Sequence, residues 1–170
     1  MPAASGHRAY IILGSNIEPE RNLRAALERL GVETDLLAVS QTWETRAEGS
    51  PGPNFLNAAA LLSSPLKAVE LKFNVLRKIE ADLGRVRSAD KNAPRTIDLD
   101  ILIFDGQVLE ESLWSRIFLA VPLDELLRNL AYNADWLTKP DLVEIRAANV
   151  QTATREQKRL FDFSIRVAIK

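Results

Sequence analysis

Asp98 and Asp100, two aspartates separated by one residue, are the side chains of this 170-residue sequence whose type and spacing best suit chemistry. They lie at positions 95–102 in the run Arg-Thr-Ile-Asp-Leu-Asp-Ile-Leu, which is typical of a buried strand. Side chains two apart on a strand project from the same face, about 7 Å apart along the chain. Such carboxylates repel each other unless a cation lies between them, and Mg²⁺ prefers oxygen ligands and is often shared with substrate phosphates. Taken alone, the pair is more often a solvent-facing feature of an edge strand, bonded to nearby arginines.

The segment just before this strand is basic, with Arg85, Arg87, Lys91 and Arg95 against a single acid, Asp90. Arginine suits phosphate because its planar guanidinium donates paired, charge-assisted hydrogen bonds. The alternative is a solvated loop with surface ion pairs that need no function. Together with the aspartates, the segment predicts a site for a metal-bound polyphosphate. No Walker A motif is present, so a P-loop kinase is not expected.

The elements that must position these side chains follow from the apolar spacing. The sequence predicts a strand at 10–13 ended by Gly-Ser-Asn, a helix over 23–30 capped by Gly31, strand-compatible stretches at 36–45 and 55–62 around a loop at 46–54, a helix from Ser64-Pro65 to Gly84, and a strand at 96–104. This β-α-β-β-α-β order predicts an α+β sandwich of the ferredoxin-like type. In that arrangement the helices cover one face of an antiparallel sheet and leave the other available.

The chain is harder to interpret after Gly106. Residues 117–130 have spacing suited to a strand that passes into a short helix, and 163–169 are strand-like. Residues 131–170 otherwise form an unassigned C-terminal extension of a single domain spanning 1–170.

Composition excludes several classes of protein. Lys and Arg number 22 against 23 Asp and Glu, and a net charge of −1 argues against nucleic acid or anionic lipid as a partner. Cysteine is absent, which excludes disulfides and thiolate chemistry. The start of the chain has no secretory pattern and no apolar run reaches the ~18 residues that a membrane span needs, so a cytoplasmic location is expected. His7, the only histidine, is assigned no role.

Four motifs in this sequence resemble the 6-hydroxymethyl-7,8-dihydropterin pyrophosphokinases of folate biosynthesis. They are Tyr-Ile-Ile-Leu-Gly-Ser-Asn at 10–16, Phe-Leu-Asn-Ala at 55–58, Gly-Arg-Val-Arg at 84–87 and Pro-Arg-Thr-Ile-Asp-Leu-Asp-Ile-Leu at 94–102. The resemblance covers a core of about 8–128. It implies a ferredoxin-like fold and an enzyme that transfers the β,γ-pyrophosphoryl group of ATP to the hydroxymethyl oxygen of a reduced pterin, releasing AMP.

The resemblance also implies roles for individual residues. Asp98 and Asp100 would hold two Mg²⁺ ions that arrive with ATP, and Arg85 and Arg95 would clamp phosphate oxygens, so these four would be catalytic. The ATP side would comprise Glu80, Arg85, Arg87, Lys91, Arg95, Ile101 and Arg116. The pterin side would comprise Thr45, Phe55, Asn57, Asp98 and Phe118, with the two phenylalanines stacking on the pterin. For those phenylalanines the residues alone favour core packing.

The sequence departs from the family pattern in three places. Asn92 stands where the family usually has Trp, Arg-Ala-Glu at 46–48 replaces a proline-rich loop, and the stretch 108–116 is about eight residues short and lacks a Pro-His segment. We therefore expect ATP to be held chiefly by its phosphates.

A divergent homologue that binds pterin or nucleotide with weak or no transfer, or acts on a modified pterin, stays an alternative. An RNA-binding ferredoxin-like domain is disfavoured because the strands carry no RNP-like aromatic run. A monomer or weak homo-oligomer is expected.

Overall fold

Strands and helices alternate along the part of the chain that the computed structural model describes, residues 6–49, 51–133 and 165–167. The strands are β1 (His7–Ser15), β2 (Asp35–Val39), β3 (Thr42–Thr45), β4 (Phe55–Ser64), β5 (Asp98–Phe104), β6 (Gln107–Val108) and β7 (Ile165–Val167). The main helices are α1 (Pro19–Glu33), α2, and α3 (Ile117–Asn133), and a short 3₁₀ helix spans Glu111–Trp114. Helix α2 has three consecutive segments: α-helical Ala68–Glu70, π-helical Leu71–Leu76 and α-helical Arg77–Asp82.

All strand pairs in the sheet are antiparallel, in the order β6-β5-β1-β4-β3-β7, and β2 also pairs with β4. The α+β class and the antiparallel sheet predicted from the sequence are confirmed. The strand-compatible stretch at 36–45 forms two strands, β2 and β3, because Ser40 interrupts it. The Ser40 hydroxyl accepts a hydrogen bond from Ala59 N at 2.8 Å, and Ser40 N donates to Ala59 O at 2.8 Å.

The two faces of the sheet carry different apolar clusters. Helices α1 and α2 pack on one face, where Leu23, Leu30, Leu71 and Ile79 meet strand residues such as Ile11. Helix α3 packs on the other face, which is also apolar. Its cluster comprises Tyr10, Ile12, Ala59, Leu61, Leu102, Ile103, Leu113, Leu119, Leu123, Leu126 and Leu127. The expectation that helices would cover only one face is therefore wrong, because strand residues on the second face also need to be removed from water.

Helix boundaries differ from the sequence expectation in three places. Residues 117–130 do not begin as a strand but lie within α3, whose leucines bury one helical stripe even though Pro122 lies inside the helix. Helix α1 continues through Gly31 to Glu33 and is capped by Thr34, whose backbone N–H and side-chain hydroxyl both donate to Leu30 O. Helix α2 starts at Ala68 because Ser64 still belongs to β4. Its predicted end holds, since Gly84 follows it with a φ of 81°.

The strand-like end predicted at 163–169 contains β7, which pairs with β3. The rest of that prediction and most of the unassigned extension, residues 134–164, lie outside the described residues. No helix among the described residues is long and apolar enough to cross a membrane.

A small polar cluster closes the turn between β5 and β6. Asp105, at a φ of 46°, accepts hydrogen bonds from Arg8 N at 2.8 Å and from the His7 ring at 2.6 Å. These contacts lower the pKa of the Asp105 carboxyl, the Arg8 backbone N–H contributing most. His7, for which the sequence indicated no role, thus helps to hold the start of β1 against this turn.

We predict that Asp105→Asn flattens the acid limb of the stability profile. A carboxyl whose pKa is lower in the folded state contributes stability above its unfolded pKa, about 3.9, and loses that contribution as pH falls through the folded value. Asparagine tolerates positive φ, so the turn itself is preserved. Urea unfolding at a series of pH values from 6 down to 2.5 should show a smaller loss of stability than in the wild type. Asp35→Asn, at an exposed position on β2, is the control and should leave the wild-type slope. An unchanged slope in Asp105→Asn would contradict the prediction.

Candidate active site

Two adjoining cavities lie where β1, β4 and β5 meet the loops that follow them. The first brings together these predicted site residues: Thr45, Phe55, Asn57, Lys91, Arg95, Asp98, Asp100, Arg116 and Phe118. The second brings together Arg85, Arg87, Lys91, Arg95 and Asp98. Lys91, Arg95 and Asp98 line both, so the cavities share one wall.

The central strand β1 positions the first cavity. In the sheet register, Gly14 lies between Asn57 of β4 and Asp98 of β5. A Cβ at Gly14 would lie 3.0 Å from Asn57 Oδ1, so only glycine leaves this floor of the cavity open without displacing Asn57. Phe118, at the start of α3, lines the same cavity. The cavity is thus on the face of the sheet that α3 partly covers.

Asn57 and Thr45 form the polar pair of this cavity. Asn57 is only 1% exposed, and its amide Nδ2 donates to Thr45 Oγ1 at 2.7 Å. The bond holds the amide plane and leaves Asn57 Oδ1 as an acceptor toward the cavity. The predicted aromatic residues are each covered by a cation, since the Arg95 guanidinium lies 5.9 Å from the Phe55 ring centroid and that of Arg116 lies 5.8 Å from Phe118. Both rings therefore line the cavity and contact an arginine, in addition to packing against their neighbours.

Asp98 lies between two arginines. Arg95 Nη1 donates to Asp98 Oδ2 at 2.8 Å, and Arg85 Nη2 lies 3.8 Å from Asp98 Oδ1. Both arginines are largely buried, with 17% and 11% of their side chains exposed, whereas Asp98 is 40% exposed. Burial lowers the pKa of Arg85, and its Nε is buried with no hydrogen-bond partner among the described residues. A buried guanidinium with an unused donor is suited to an anion.

Arg95 is held in place through its backbone as well as its side chain. Its N–H donates to Asn16 Oδ1 at 2.8 Å, and Asn16 N donates to Arg95 O at 3.1 Å. Asn16 Nδ2 also donates to Pro53 O at 3.3 Å, and the Arg95 Nη2 donates to Lys91 O. The sequence indicated Asn16 only as part of a turn, whereas the structure makes it the residue that joins the two loops beside the cavity.

Two residues with predicted ATP contacts lie outside both cavities. Glu80 is 2% exposed, and its carboxylate accepts from Leu99 N at 2.8 Å and from Arg87 Nη2 at 2.6 Å. Burial raises the pKa of Glu80, and the bonds from Leu99 and Arg87 act against that rise. Ile101 is 4% exposed, and its side chain packs in the core beneath α1 and α2. Only its backbone is left for a nucleotide contact.

Several contacts around the first cavity were not predicted from the sequence. Lys72 of α2 lies with Nζ 3.3 Å from Asp100 Oδ1, although 28 positions separate the two residues and no sequence signal links them. Glu110 and Ser112, within the shortened stretch 108–116, also line the first cavity, and Ser112 N donates to Glu110 Oε1 at 3.1 Å. The shortened segment therefore still forms part of the cavity wall.

The donor set fits a divalent cation that keeps water and phosphate oxygens as its other ligands. Asp98 and Asp100 face one cavity, each with a cationic side chain already at its carboxylate. Within residues 6–49, 51–133 and 165–167, no group of three or more His, Asp or Glu side chains is arranged to hold a metal by itself. Two carboxylates beside a basic cavity match the way Mg²⁺ is usually bound with nucleotides.

The sheet, the carboxylate pair and the adjoining basic cavity define an α+β protein whose site suits transfer of a phosphate-containing group. The sequence matches the family model described as 7,8-dihydro-6-hydroxymethylpterin-pyrophosphokinase over residues 10–128, and the chain belongs to this family. Similar proteins carry the name 2-amino-4-hydroxy-6-hydroxymethyldihydropteridine pyrophosphokinase. That of Pseudomonas aeruginosa is 38% identical over 136 residues, covering 72% of this chain and 82% of the relative. Those of Pseudomonas putida and Bacillus subtilis are 41% and 34% identical, covering 61% and 74% of this chain and 88% and 81% of each relative.

We predict that Glu80→Ala destabilises the protein by about 1–3 kcal/mol, because it leaves the Leu99 N–H without an acceptor. Glu80→Gln should cost less, since its amide oxygen still accepts from Leu99 and only the contact with Arg87 is lost. Urea unfolding at pH 7 measures both. Glu28→Ala, at an exposed position on α1, is the control. Equal stabilities of Glu80→Ala and the wild type would show that the Leu99 bond contributes nothing.

Proposed function

We propose that this chain transfers the β,γ-pyrophosphoryl group of ATP to the hydroxymethyl oxygen of 6-hydroxymethyl-7,8-dihydropterin and releases AMP. The observation that carries the proposal is the wall shared by the two cavities. Asp98 and Arg95 line both the cavity that contains Asn57, Phe55 and Phe118 and the cavity that contains the basic segment. A phosphate chain in one cavity would therefore end beside a pterin in the other. The names of the relatives support the same reaction.

In the first cavity, we infer that Asn57 hydrogen-bonds the polar edge of the pterin. Its Nδ2 is engaged by Thr45, so Oδ1 accepts from the pterin ring. Phe55 and Phe118 lie on the same cavity and supply stacking surfaces. This arrangement directs the hydroxymethyl group toward the shared wall and its two charged residues.

In the second cavity, we infer that Arg85 and Arg95 bind phosphate oxygens, with Arg87 and Lys91 adding charge and Arg116 reaching from the first cavity. The new bond forms between the pterin hydroxymethyl oxygen and the β-phosphorus. The bond between the β-phosphorus and the bridging oxygen of the α-phosphate breaks, and that oxygen leaves with AMP. The hydroxyl proton passes to solvent. The arginines act by alignment and by stabilising negative charge.

Asp98 and Asp100 are the residues that would hold Mg²⁺, as two ions that arrive with ATP. When bound, Mg²⁺ neutralises phosphate charge and helps to align the reacting groups. The proposed ATP contact of Glu80 is indirect, because its carboxylate holds Arg87. For Ile101 we propose a backbone contact only.

We also propose a ferredoxin-like topology for the sheet and its helices. The order β5-β1-β4 with β2 and β3 on the far side of β4 supports a ferredoxin-like arrangement of a core at about 8–128, extended at its C-terminal end. We propose a single domain, a monomer or weak homo-oligomer, and a cytoplasmic enzyme whose partners are ATP and a reduced pterin.

A divergent homologue with weak or no transfer, which binds a pterin or nucleotide or acts on a modified pterin, is the second candidate. The loop contact at Asn92 favours it. Gly49, at a φ of 83°, lies so close to Asn92 that a Cβ there would be 2.6 Å from Asn92 Nδ2. Asn92, packed against Gly49, therefore lines the first cavity where the family usually has a tryptophan. Incubation with ATP, Mg²⁺ and 6-hydroxymethyl-7,8-dihydropterin separates the candidates. Pterin-dependent AMP supports transfer, whereas ADP or no nucleotide product contradicts it.

We predict that Asp98→Ala and Asp100→Ala each lower the rate of AMP formation about a hundredfold or more, because each removes a metal ligand. The fold should persist, since both side chains are partly exposed and leave no apolar cavity. The assay is pterin-dependent AMP release, with circular dichroism as a check on folding. Asp35→Asn is the control for loss of an acidic side chain elsewhere. Near-normal turnover in either alanine variant would overturn the metal-ligand assignment.

We predict that Asn57→Ala weakens pterin binding by about two- to twelvefold and leaves the affinity for an ATP analogue unchanged, because one hydrogen bond worth about 0.5–1.5 kcal/mol is lost. Calorimetry with each ligand separately measures both effects. Ser63→Ala, on the same strand but outside the cavities, is the matched control. The opposite pattern, with ATP affinity reduced and pterin affinity kept, would move Asn57 out of the pterin site.

A further inference from the structure

Lys72 contacts one carboxylate of the candidate metal pair from the far side of the sheet. Its Nζ lies 3.3 Å from Asp100 Oδ1, which also accepts from Ile101 N at 3.0 Å. Both of these contacts reach the same oxygen. Asp100 Oδ2 has no hydrogen-bond partner among the described residues, and Asp100 lines the first cavity. One oxygen of this carboxylate is therefore unengaged.

The path of Lys72 to this carboxylate depends on an open edge of the sheet. Helix α2 packs on the face opposite the cavity, where Leu71 is fully buried beside Leu99. Asp100 pairs with Ile12 of β1 on one side, and β6 pairs with β5 only at Ile103 and Phe104 on the other, so no described strand borders Asp100 on the side away from β1. Lys72 can therefore contact Asp100 around this open edge.

The local helix geometry distinguishes Lys72 from Lys78, the other lysine of α2. It lies in the π-helical segment of α2, Leu71–Leu76, whose wider turn changes the direction of side chains relative to an α-helix. π-helical turns are rare and are often found at functional sites. Lys78, in the α-helical end of the same helix, instead lies 3.9 Å from Glu33 of α1.

We propose that Lys72 is a positioning residue that serves as the counter-ion of Asp100 when no nucleotide is bound and thereby weakens binding of a divalent cation to the free protein. This inference rests on the proposed function, which makes Asp100 a metal ligand. A lysine ammonium and a divalent cation are attracted to the same carboxylate and repel each other. The phosphates of a nucleotide add negative charge that outweighs the lysine, so metal and nucleotide bind together rather than separately.

The size of the effect follows from exposure. Lys72 and Asp100 are 37% and 41% exposed, so their attraction is screened by water and salt. A lysine on a flexible stem can move aside when a cation of higher charge arrives. We expect removal of the ammonium to tighten cation binding about three- to tenfold, with a smaller gain at high salt.

The test uses Mn²⁺ as the probe, with free Mn²⁺ followed by electron paramagnetic resonance during titration of the full chain without nucleotide. Lys72→Met keeps the length and apolar stem of the side chain and removes its charge. Lys78→Met is the matched control, because it removes a lysine charge from the same helix away from the cavity. Asp100→Asn, alone and combined with Lys72→Met, reports whether the bound ion uses Asp100.

The expected result is tighter Mn²⁺ binding in Lys72→Met than in the wild type and in Lys78→Met, and loss of that gain when Asp100→Asn is added. Equal Mn²⁺ binding in the wild type and Lys72→Met, including its absence in both, overturns the proposed role of Lys72. If Asp100→Asn alone weakens binding in that case, the metal site of the proposed function still stands. If Asp100→Asn leaves Mn²⁺ binding unchanged in both the wild type and Lys72→Met, the counter-ion role of Lys72 and the assignment of Asp100 as a metal ligand are both overturned.

A second titration separates this role from direct phosphate binding. A non-hydrolysable ATP analogue is titrated into the wild type and Lys72→Met at saturating Mg²⁺. Equal or higher affinity in Lys72→Met supports a counter-ion, which is displaced once metal and nucleotide are bound. Weaker analogue binding together with unchanged Mn²⁺ binding would assign Lys72 to the phosphates instead and overturn the proposal.

Discussion

The buried carboxylate of Glu80 is the contact on which the arrangement of the site depends. One of its oxygens accepts from the backbone N–H of Leu99, and the other accepts from Arg87. Leu99 lies between the two aspartates, so this bond ties the end of α2 to the part of β5 that displays them. Arg87 belongs to the basic segment that follows the helix. One side chain thus joins the helix, the acidic strand and the basic loop, and a buried carboxylate is tolerated there because its partners satisfy it.

A concentration of charge is the second constraint on this region. The aspartates repel each other, and each is matched by a cation from a different part of the chain. Arg95 and Arg85 serve Asp98, and Lys72 serves Asp100. Because these pairs are partly exposed, they add little to stability and leave the carboxylates accessible. The region is therefore neutralised in the free protein without being closed to a metal or a phosphate chain.

The helix that covers the second face of the sheet has a part in the site as well as in the core. Leucines of α3 bury Ile12 and Leu61, while Phe118 and Leu119 near its start reach the first cavity. The cavity lies where that apolar cover ends and the polar residues of β1, β4 and β5 begin. A sheet with one bare face would offer the same polar residues without the apolar wall that Phe118 and Leu119 provide.

The sequence alone predicted those features that depend only on residues close together in the chain. The strand around Asp98 and Asp100, the basic segment before it and the end of α2 at Gly84 all follow from residue type and spacing, and the family resemblance carried Asn57 and Phe118 into the predicted site. The tertiary structure decided the rest. Ile101 packs in the core and Glu80 lies behind Arg87, and neither position is visible in spacing. Helix α3 replaced a predicted strand because burial of its leucines against the sheet outweighed local propensity. Asn16 contacts Arg95, Lys72 contacts Asp100 and Glu110 lines the first cavity only because the fold brings distant segments together. Such contacts leave no periodic signal in a single sequence.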